Sequence, residues 1–442
     1  MEKTKLLCGY ADMEITPKRP VYLDGFAARS EPSVGVRDPL YAKALMLKDA
    51  FGTECLILVF DVLGFDAYLS KKIRDAALSA SGLSDENVMI LSTHTHSGLA
   101  SGGLYALPKD EEHWTDVVCR IGDLVDRARK DQREVSLSLD EAEIKIGMNR
   151  RAIVDGKVVI GMNPDKMRDD SLRVLSFASG DKTVGALANT SCHPVNLSAA
   201  NMRVSADYPS VLHAYAREKE DFFAIFTNSA CGNINPLRPY GDDEEANVTA
   251  CGNEVVKTLE NVLMKNAGKT SSYIKISCYA KDALLPLQRT YDEATLKEKY
   301  EYWNYRKLND TDKNSVYRAT VYSNWYAIQL AEIAENKDPS VNARVRLFEL
   351  GDVAILSLPF ETFVETGKAL CDAYTEITGK RLIVCGCADR VFAYLPDPLS
   401  LSEGGYETEG ACAWYAVPGK YTQNSEPALI FACKELFAET VK

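Results

Sequence analysis

Val88-Met89-Ile90-Leu91-Ser92-Thr93-His94-Thr95-His96-Ser97-Gly98 joins an apolar run to a pair of histidines. Its first four residues read as a buried β-strand. Side chains alternate faces along a strand, so His94 and His96 are expected on one side of its end. Two imidazoles placed there make a site for a metal or for proton transfer. The chain has only five histidines in 442 residues to place.

Outward from this stretch, apolar strands alternate with amphipathic helices. Cys55-Leu56-Ile57-Leu58-Val59-Phe60 is a second continuous apolar run, ending at Asp61, and residues 65–77 after it are helix-like. Trp114, Val117, Val118, Ile121, Leu124, Val125 and Ala128 recur at three- and four-residue steps, which is one apolar helix stripe. Residues 133–170 read as short strands, with Asp155-Gly156 between two apolar runs as a hairpin turn. Further strands are expected at 184–190, 222–227, 353–358 and 382–387. Helices should begin near Asp207, Asp243 and Glu361. Residues 290–337, rich in Tyr, Lys and Glu, have helical periodicity and read as a helical hairpin over the core or a partner. No internal repeat or low-complexity linker divides the chain. The expectation is an α/β fold with a mixed β-sheet core and covering helices, forming one domain over residues 1–442.

Composition narrows the function. A formal charge of −12 argues against nucleic acid, whose phosphates need a basic surface, and against docking on anionic lipid. No run approaches the roughly 20 apolar residues of a membrane span. The first residues, Met1-Glu2-Lys3-Thr4-Lys5-Leu6-Leu7-Cys8, lack the apolar centre of a signal peptide. Twelve scattered cysteines, several inside apolar segments, suit reduced thiols, so a cytoplasmic location is expected. Cys385-Gly386-Cys387 is the only close pair and has no second pair at a zinc-ribbon spacing. The oligomeric state is not legible.

Four strand ends carry polar groups: His94 with His96; His193 in Ser191-Cys192-His193-Pro194-Val195-Asn196; Asn233 and Asn235 in Gly232-Asn233-Ile234-Asn235-Pro236; and Glu361 in Pro359-Phe360-Glu361. Buried polar side chains cost free energy without partners, and one cation would serve them all. Imidazole with carboxylate is a zinc ligand set, and zinc lowers the pKa of water to about 7. Taken singly, each feature has a plainer reading. Glu361 suits a first helical turn, Tyr394 a packed aromatic, and Gly232-Asn233 a turn. His113 and His213 read as structural. Patterning alone does not separate a two-histidine site from a three-histidine one.

The run Ser92-Thr93-His94-Thr95-His96-Ser97-Gly98 resembles the Thr-His-Thr-His-Ser-Gly signature of the neutral/alkaline ceramidases. His193-Pro194-Val195, Gly232-Asn233-Ile234-Asn235-Pro236, Pro359-Phe360-Glu361-Thr362, and Tyr394-Leu395-Pro396 with Gly405-Tyr406-Glu407 resemble that family's later motifs, in family order. The resemblance implies the N-terminal catalytic fold of that family, whose members are zinc-dependent amidases cleaving the N-acyl bond of ceramide. It implies zinc ligation by His94, His193, Glu361 and Tyr394, with His96 as acid/base rather than ligand.

Two departures bear on the substrate. Asn235 stands where the family has a serine, and an amide can donate a hydrogen bond but cannot be a nucleophile. The family's secreted members carry a leader and a C-terminal β-domain, and neither is expected here. The sequence therefore reads as a zinc hydrolase acting on an amide or acyl bond of a small or amphiphilic substrate. Asn235, Asn149, Arg150 (with Arg151 beside it) and Arg238 are the expected contacts to that substrate. Two alternatives remain: a non-catalytic ligand-binding scaffold, and hydrolysis of an ester, lactam or glycosidic bond.

Overall fold

Two β-sheets share one apolar core, and the apolar runs of the sequence supply their strands. The computed structural model describes residues 6–237, 243–265 and 274–441. The larger sheet has eight strands, in the order Phe223–Asn228, Lys182–Thr190, Ser171–Ser179, Arg133–Glu143, Leu6–Glu14, Tyr41–Lys48, Glu54–Phe60 and Val88–Ser92. The smaller has five, in the order Arg381–Cys385, Val353–Ser357, Ser340–Leu350, Ile276–Gln288 and Lys420–Tyr421.

Alternation along the strands explains the layering. Leu45, Leu47, Ile57, Val59, Met89 and Leu91 face Phe348, Val353, Ile355 and Ile383 of the smaller sheet. Their neighbours Ala44, Met46, Leu56, Leu58, Val88 and Ile90 pack instead against the helices Ala67–Ser81 and Glu111–Lys130. Val174, Ala186, Ala188 and Phe226 pack similarly against Pro209–Arg217 and Glu244–Lys265. The helices Val364–Thr378 and Ser425–Glu439 cover the smaller sheet through Leu370, Tyr374, Leu429 and Phe437. The order is helices, sheet, sheet, helices. Each fully buried Leu or Ile in these layers contributes about 1.5–3 kcal/mol.

Three parallel strand pairs interrupt the otherwise antiparallel sheets, and a parallel pair needs a crossover. Glu54–Phe60 and Val88–Ser92 are joined through the helix Ala67–Ser81. Lys182–Thr190 and Phe223–Asn228 are joined through Pro209–Arg217, and Val353–Ser357 and Arg381–Cys385 through Val364–Thr378. The carboxyl ends of these β-α-β units meet. Ser92 N–H donates to Cys387 O (3.2 Å), Asp389 N–H to Ile90 O (2.9 Å) and Gly386 N–H to Asn228 O (3.0 Å). All four polar strand ends noted in the sequence belong to these units, where α/β sheets place their ligands.

The stripe from Trp114 to Ala128 is the buried face of Glu111–Lys130, with only Val118 half-buried. The helix expected at 65–77 runs Ala67–Ser81, because the Asp66 side chain caps it by accepting from Leu69 N–H (2.8 Å). Asp155-Gly156 turns a hairpin between Arg151–Val154 and Lys157–Ile160, with φ of 50° and 73° at the two turn residues. Residues 290–337 contain the helices Glu293–Asn309 and Lys313–Ala334. These pack on each other through stacked Trp303 and Tyr322 (4.8 Å), and on the C-terminal segment through Trp325 Nε1–H to Val417 O (2.6 Å). No helix among the described residues is long and apolar enough to cross a membrane.

Candidate metal centre

The strand that introduces the histidine pair ends at Ser92, so His94 and His96 are not alternate residues of a strand. Beyond Ser92 the chain folds back on the end of the neighbouring strand. Thr93 N–H donates to Phe60 O (2.9 Å) and His94 N–H to Val62 O (2.9 Å), with His94 at φ 69°. The two rings still converge, with centroids 5.0 Å apart. Side-chain alternation gives the right outcome here for the wrong reason: a backbone bend brings the rings together.

His94 Nδ1 lies 2.7 Å from Leu63 O, and His193 Nδ1 lies 2.7 Å from Cys231 O and 3.0 Å from Ile234 O. A carbonyl only accepts, so each Nδ1 carries the proton and each Nε2 is turned inward. Both Nε2 atoms meet one carboxylate oxygen: Glu361 Oε2 is 3.0 Å from His94 and 2.9 Å from His193. Glu361 is held at its backbone by its N–H to Ala393 O (2.9 Å), beside the short parallel pairing of Glu361–Thr362 with Tyr394–Leu395. Its other oxygen, Oε1, accepts from the hydroxyl of Tyr415. His94, His193 and Glu361 are fully buried.

Three acceptor atoms around one centre require a positive charge between them. A proton can fill that role. Burial lowers His193, but Cys231 and Glu361 beside it push it up to about 9. Burial likewise raises the Glu361 carboxyl, yet His94 and His193 outweigh it and hold it well below the usual carboxylate range. A metal ion fills the role equally well. The nitrogen ligand atoms of His94, His96 and His193 lie within 4.8 Å of one another, a group that could hold one.

His96 is placed differently from the other two. Its Nε2 lies 3.4 Å from His94 Nε2, while its Nδ1 is buried with no hydrogen-bond partner among the described residues. Burial, reinforced by His94 and His193, holds its pKa well below the usual imidazole range, so the ring is neutral at pH 7. The edge of Phe26 packs 5.0 Å from it, and Gly25 passes so close that a Cβ there would sit 2.4 Å from His96 Cγ. Arg29 ties the same loop down, donating to His96 O, Asp24 O (3.1 Å) and Ser198 O (3.0 Å).

The remaining residues named from the sequence divide. Tyr394 is buried, its ring 6.3 Å from that of His193, with the Arg150 guanidinium 4.9 Å above it. Arg150 donates through Nε to Glu407 (2.9 Å) and through Nη1 to Asn235 Oδ1 (3.3 Å), and its buried Nη2 has no partner among the described residues. Asn149 is one residue away but points elsewhere. Its Nδ2 donates to Met167 O (2.9 Å) and its Oδ1 accepts from Arg151 N–H (3.0 Å), so its side chain fixes the turn that presents Arg150. Pairing of Gly147–Asn149 with Ile234–Pro236 brings Arg150 and Asn235 together. Arg238 lies outside the described residues.

Sequence reasoning did not find Tyr415, which sits in a short irregular segment after Ala411–Trp414 and shows no periodicity. It gave no role to Glu407, which joins both arginines (2.8 Å to Arg151), and counted Asn233 among the groups one cation would serve, whereas Asn233 receives Val364 N–H (3.0 Å) and so fixes the helix after Glu361. The available signal for Glu407 was its place in the Gly405-Tyr406-Glu407 motif.

The family described as neutral/alkaline non-lysosomal ceramidase, N-terminal, matches residues 6–279. Neutral ceramidase of Pseudomonas aeruginosa is 26% identical over 232 residues, 48% of this chain and 34% of that protein. The match therefore spans about a third of that relative's length. The crystal structure of neutral ceramidase from Pseudomonas aeruginosa superposes on 99% of this chain and 75% of its own, with TM-score 0.75 and 17% identity. A structure of a ceramidase complexed with C2 gives the same coverage and TM-score at 15% identity, so the α/β fold is shared. With the family match covering more than half of the sequence, this chain belongs to the neutral/alkaline non-lysosomal ceramidase family.

Proposed function

We propose that the chain is a zinc-dependent hydrolase that cleaves an amide bond in a small or amphiphilic substrate. The observation carrying this reading is the convergence of His94 Nε2, His193 Nε2 and Glu361 Oε2, with both Nδ1 atoms tied to backbone carbonyls. Two imidazoles and a carboxylate suit zinc, and Tyr394 beside His193 is the fourth donor in this reading. When bound, zinc supplies Lewis acidity, drawing charge from a carbonyl oxygen and making water acidic enough to react near neutral pH.

The chain's own residues supply the rest. His96, neutral and with an unpartnered Nδ1, takes a proton from the attacking water and returns it to the leaving nitrogen. Arg150, whose charge also acts on Tyr394, stabilises negative charge developing on the substrate. Asn235 gives its Oδ1 to Arg150, which leaves its Nδ2 to donate to a substrate oxygen. Water exclusion follows from the burial of all these groups. The relatives' names point to ceramide as the amide to try first.

The test pairs zinc content with turnover of N-acyl amides, ceramides among them. We expect His94→Ala and His193→Ala to lose zinc and activity together. His96→Ala should keep zinc and lose roughly 10²–10⁴-fold in rate, the usual contribution of a general acid–base. Equal zinc loss in His96→Ala would make it a ligand. Zinc-loaded protein that hydrolyses no amide or ester would favour the binding-scaffold alternative.

A further inference from the structure

A second polar cleft lies apart from the metal centre, where the strands Leu6–Glu14 and Tyr41–Lys48 meet Phe223–Asn228 and the helix Pro209–Arg217. It encloses about 340 Å³, and none of the residues described above as the metal centre lines it. Its inner end holds Lys43 and His213, which are 4% and 5% exposed. Both are underused. An ammonium has three N–H donors, and the hydrogen bond found for Lys43 Nζ is one long contact to Ala224 O (3.3 Å). Neither ring nitrogen of His213 has a hydrogen-bond partner among the described residues. Asp61 stands 3.5 Å from His213 Nδ1, beyond a good hydrogen bond, while its Oδ2 accepts Tyr41 N–H (2.8 Å) and its charge acts on Lys43.

The other cations in the wall are engaged: Arg217 with Asp12 (3.1 Å), Arg133 with Asp221, and Lys219 with Glu260 (3.6 Å). Tyr10, whose hydroxyl donates to Asp12, stacks on Phe223 (4.6 Å) as a flat apolar side wall. Burying an ammonium and an imidazole costs several kcal/mol unless they are paired, and Asp61 and Asp12, the carboxylates whose charge acts on Lys43, form no salt bridge with it among the described residues. A ligand rich in acceptor oxygens would supply hydrogen-bond partners to both groups. The volume falls at the small end of the ligand-site range.

We propose that this cleft is a second binding site, for a small oxyanion, with Lys43 Nζ as its inner anchor and His213 beside it. A carboxylate and a phosphate share that chemistry, so the experiment separates them. Wild-type protein is treated with cyanate, which carbamylates amines, in phosphate, acetate or chloride at matched ionic strength. Modification is then read residue by residue by peptide mass spectrometry. The expected result is saturable protection of Lys43, about tenfold once the anion stands at about ten times its dissociation constant, with exposed Lys157 unaffected. Protection by phosphate alone assigns a phosphate site, by acetate alone a carboxylate site, and by both a general oxyanion site. Equal carbamylation of Lys43 in all three salts overturns the proposal. So does its failure to react at all, since cyanate is smaller than either anion. Lys43→Met should abolish any rise in melting temperature that phosphate or acetate produces over chloride, and a rise that survives the substitution overturns it too.

Discussion

Removing one oxygen atom tests whether the metal centre is held in the way its geometry implies. Tyr415→Phe keeps the ring, which packs edge-on against Tyr394 with centroids 6.4 Å apart, and deletes the hydroxyl that donates to Glu361 Oε1. Tyr415 is 7% exposed and Glu361 fully buried, so water cannot readily replace the lost donor. A hydrogen bond to a charged acceptor is worth about 1.5–3 kcal/mol. If that energy serves to orient the carboxylate, metal affinity falls roughly 10- to 150-fold at 1.4 kcal/mol per decade. The assay is competition for zinc between the variant and a chelator of known affinity, with the melting temperature of chelator-treated protein measured alongside. Affinity within a factor of about two of wild type would refute the reasoning, because the hydroxyl would then carry less than about 0.5 kcal/mol. A large fall in melting temperature with unchanged zinc affinity would make Tyr415 a packing residue.

Three other perturbations follow from the same structure. A Cβ at Gly232 would lie 2.4 Å from Glu361 O, a backbone atom that cannot swing aside, so Gly232→Ala should cost about 1–3 kcal/mol in denaturant unfolding and weaken zinc binding. Glu407→Ala leaves the buried guanidiniums of Arg150 and Arg151 without their shared carboxylate and should cost about 3–5 kcal/mol, with Glu407→Gln milder; equal stability of variant and wild type would contradict it. Burial raises the Asp24 carboxyl from 3.8 to about 6, so the folded chain binds this proton more tightly than the unfolded chain does. Its contribution to stability therefore falls as pH rises through that window, and wild type should lose about 2.4 kcal/mol relative to Asp24→Asn between pH 4 and 7; parallel unfolding curves for the two proteins would refute this.

The parts of the fold that local patterning could reveal are those with a short period. The stripe from Trp114 to Ala128, the Asp155-Gly156 turn and the apolar runs before each site motif are legible because helix and strand periods repeat within a few residues. Sheet order is not. Leu6–Glu14 pairs with Tyr41–Lys48 on one side and with Arg133–Glu143 on the other, and nothing in its sequence names partners so far along the chain. The two-sheet arrangement depends on which face of each strand meets the other sheet, and alternation leaves that choice open. At the site, residue types were legible but directions were not. Asn149 and Arg150 are adjacent and both polar, yet one fixes a turn and the other reaches Asn235, a difference set by the pairing of Gly147–Asn149 with Ile234–Pro236.

The centre also shows why a site of this kind depends on the whole fold. His94, His193 and Glu361 each follow a strand of a different β-α-β unit, and each is oriented by a group from elsewhere in the chain. Leu63 O orients His94, Cys231 O orients His193, and Ala393 O with the Tyr415 hydroxyl orients Glu361. The contacts from Glu361 to the two histidines span 267 and 168 residues of sequence. Closing loops of that length is entropically costly, and no two of these donors are near neighbours in the unfolded chain. On the proposed reading, zinc affinity reports the docking of the two sheets as well as the chemistry of the ligands. A substitution remote from the centre that loosens the side-chain packing between the sheets, such as Phe348→Ala or Ile57→Ala, should weaken zinc binding while every ligand remains in place.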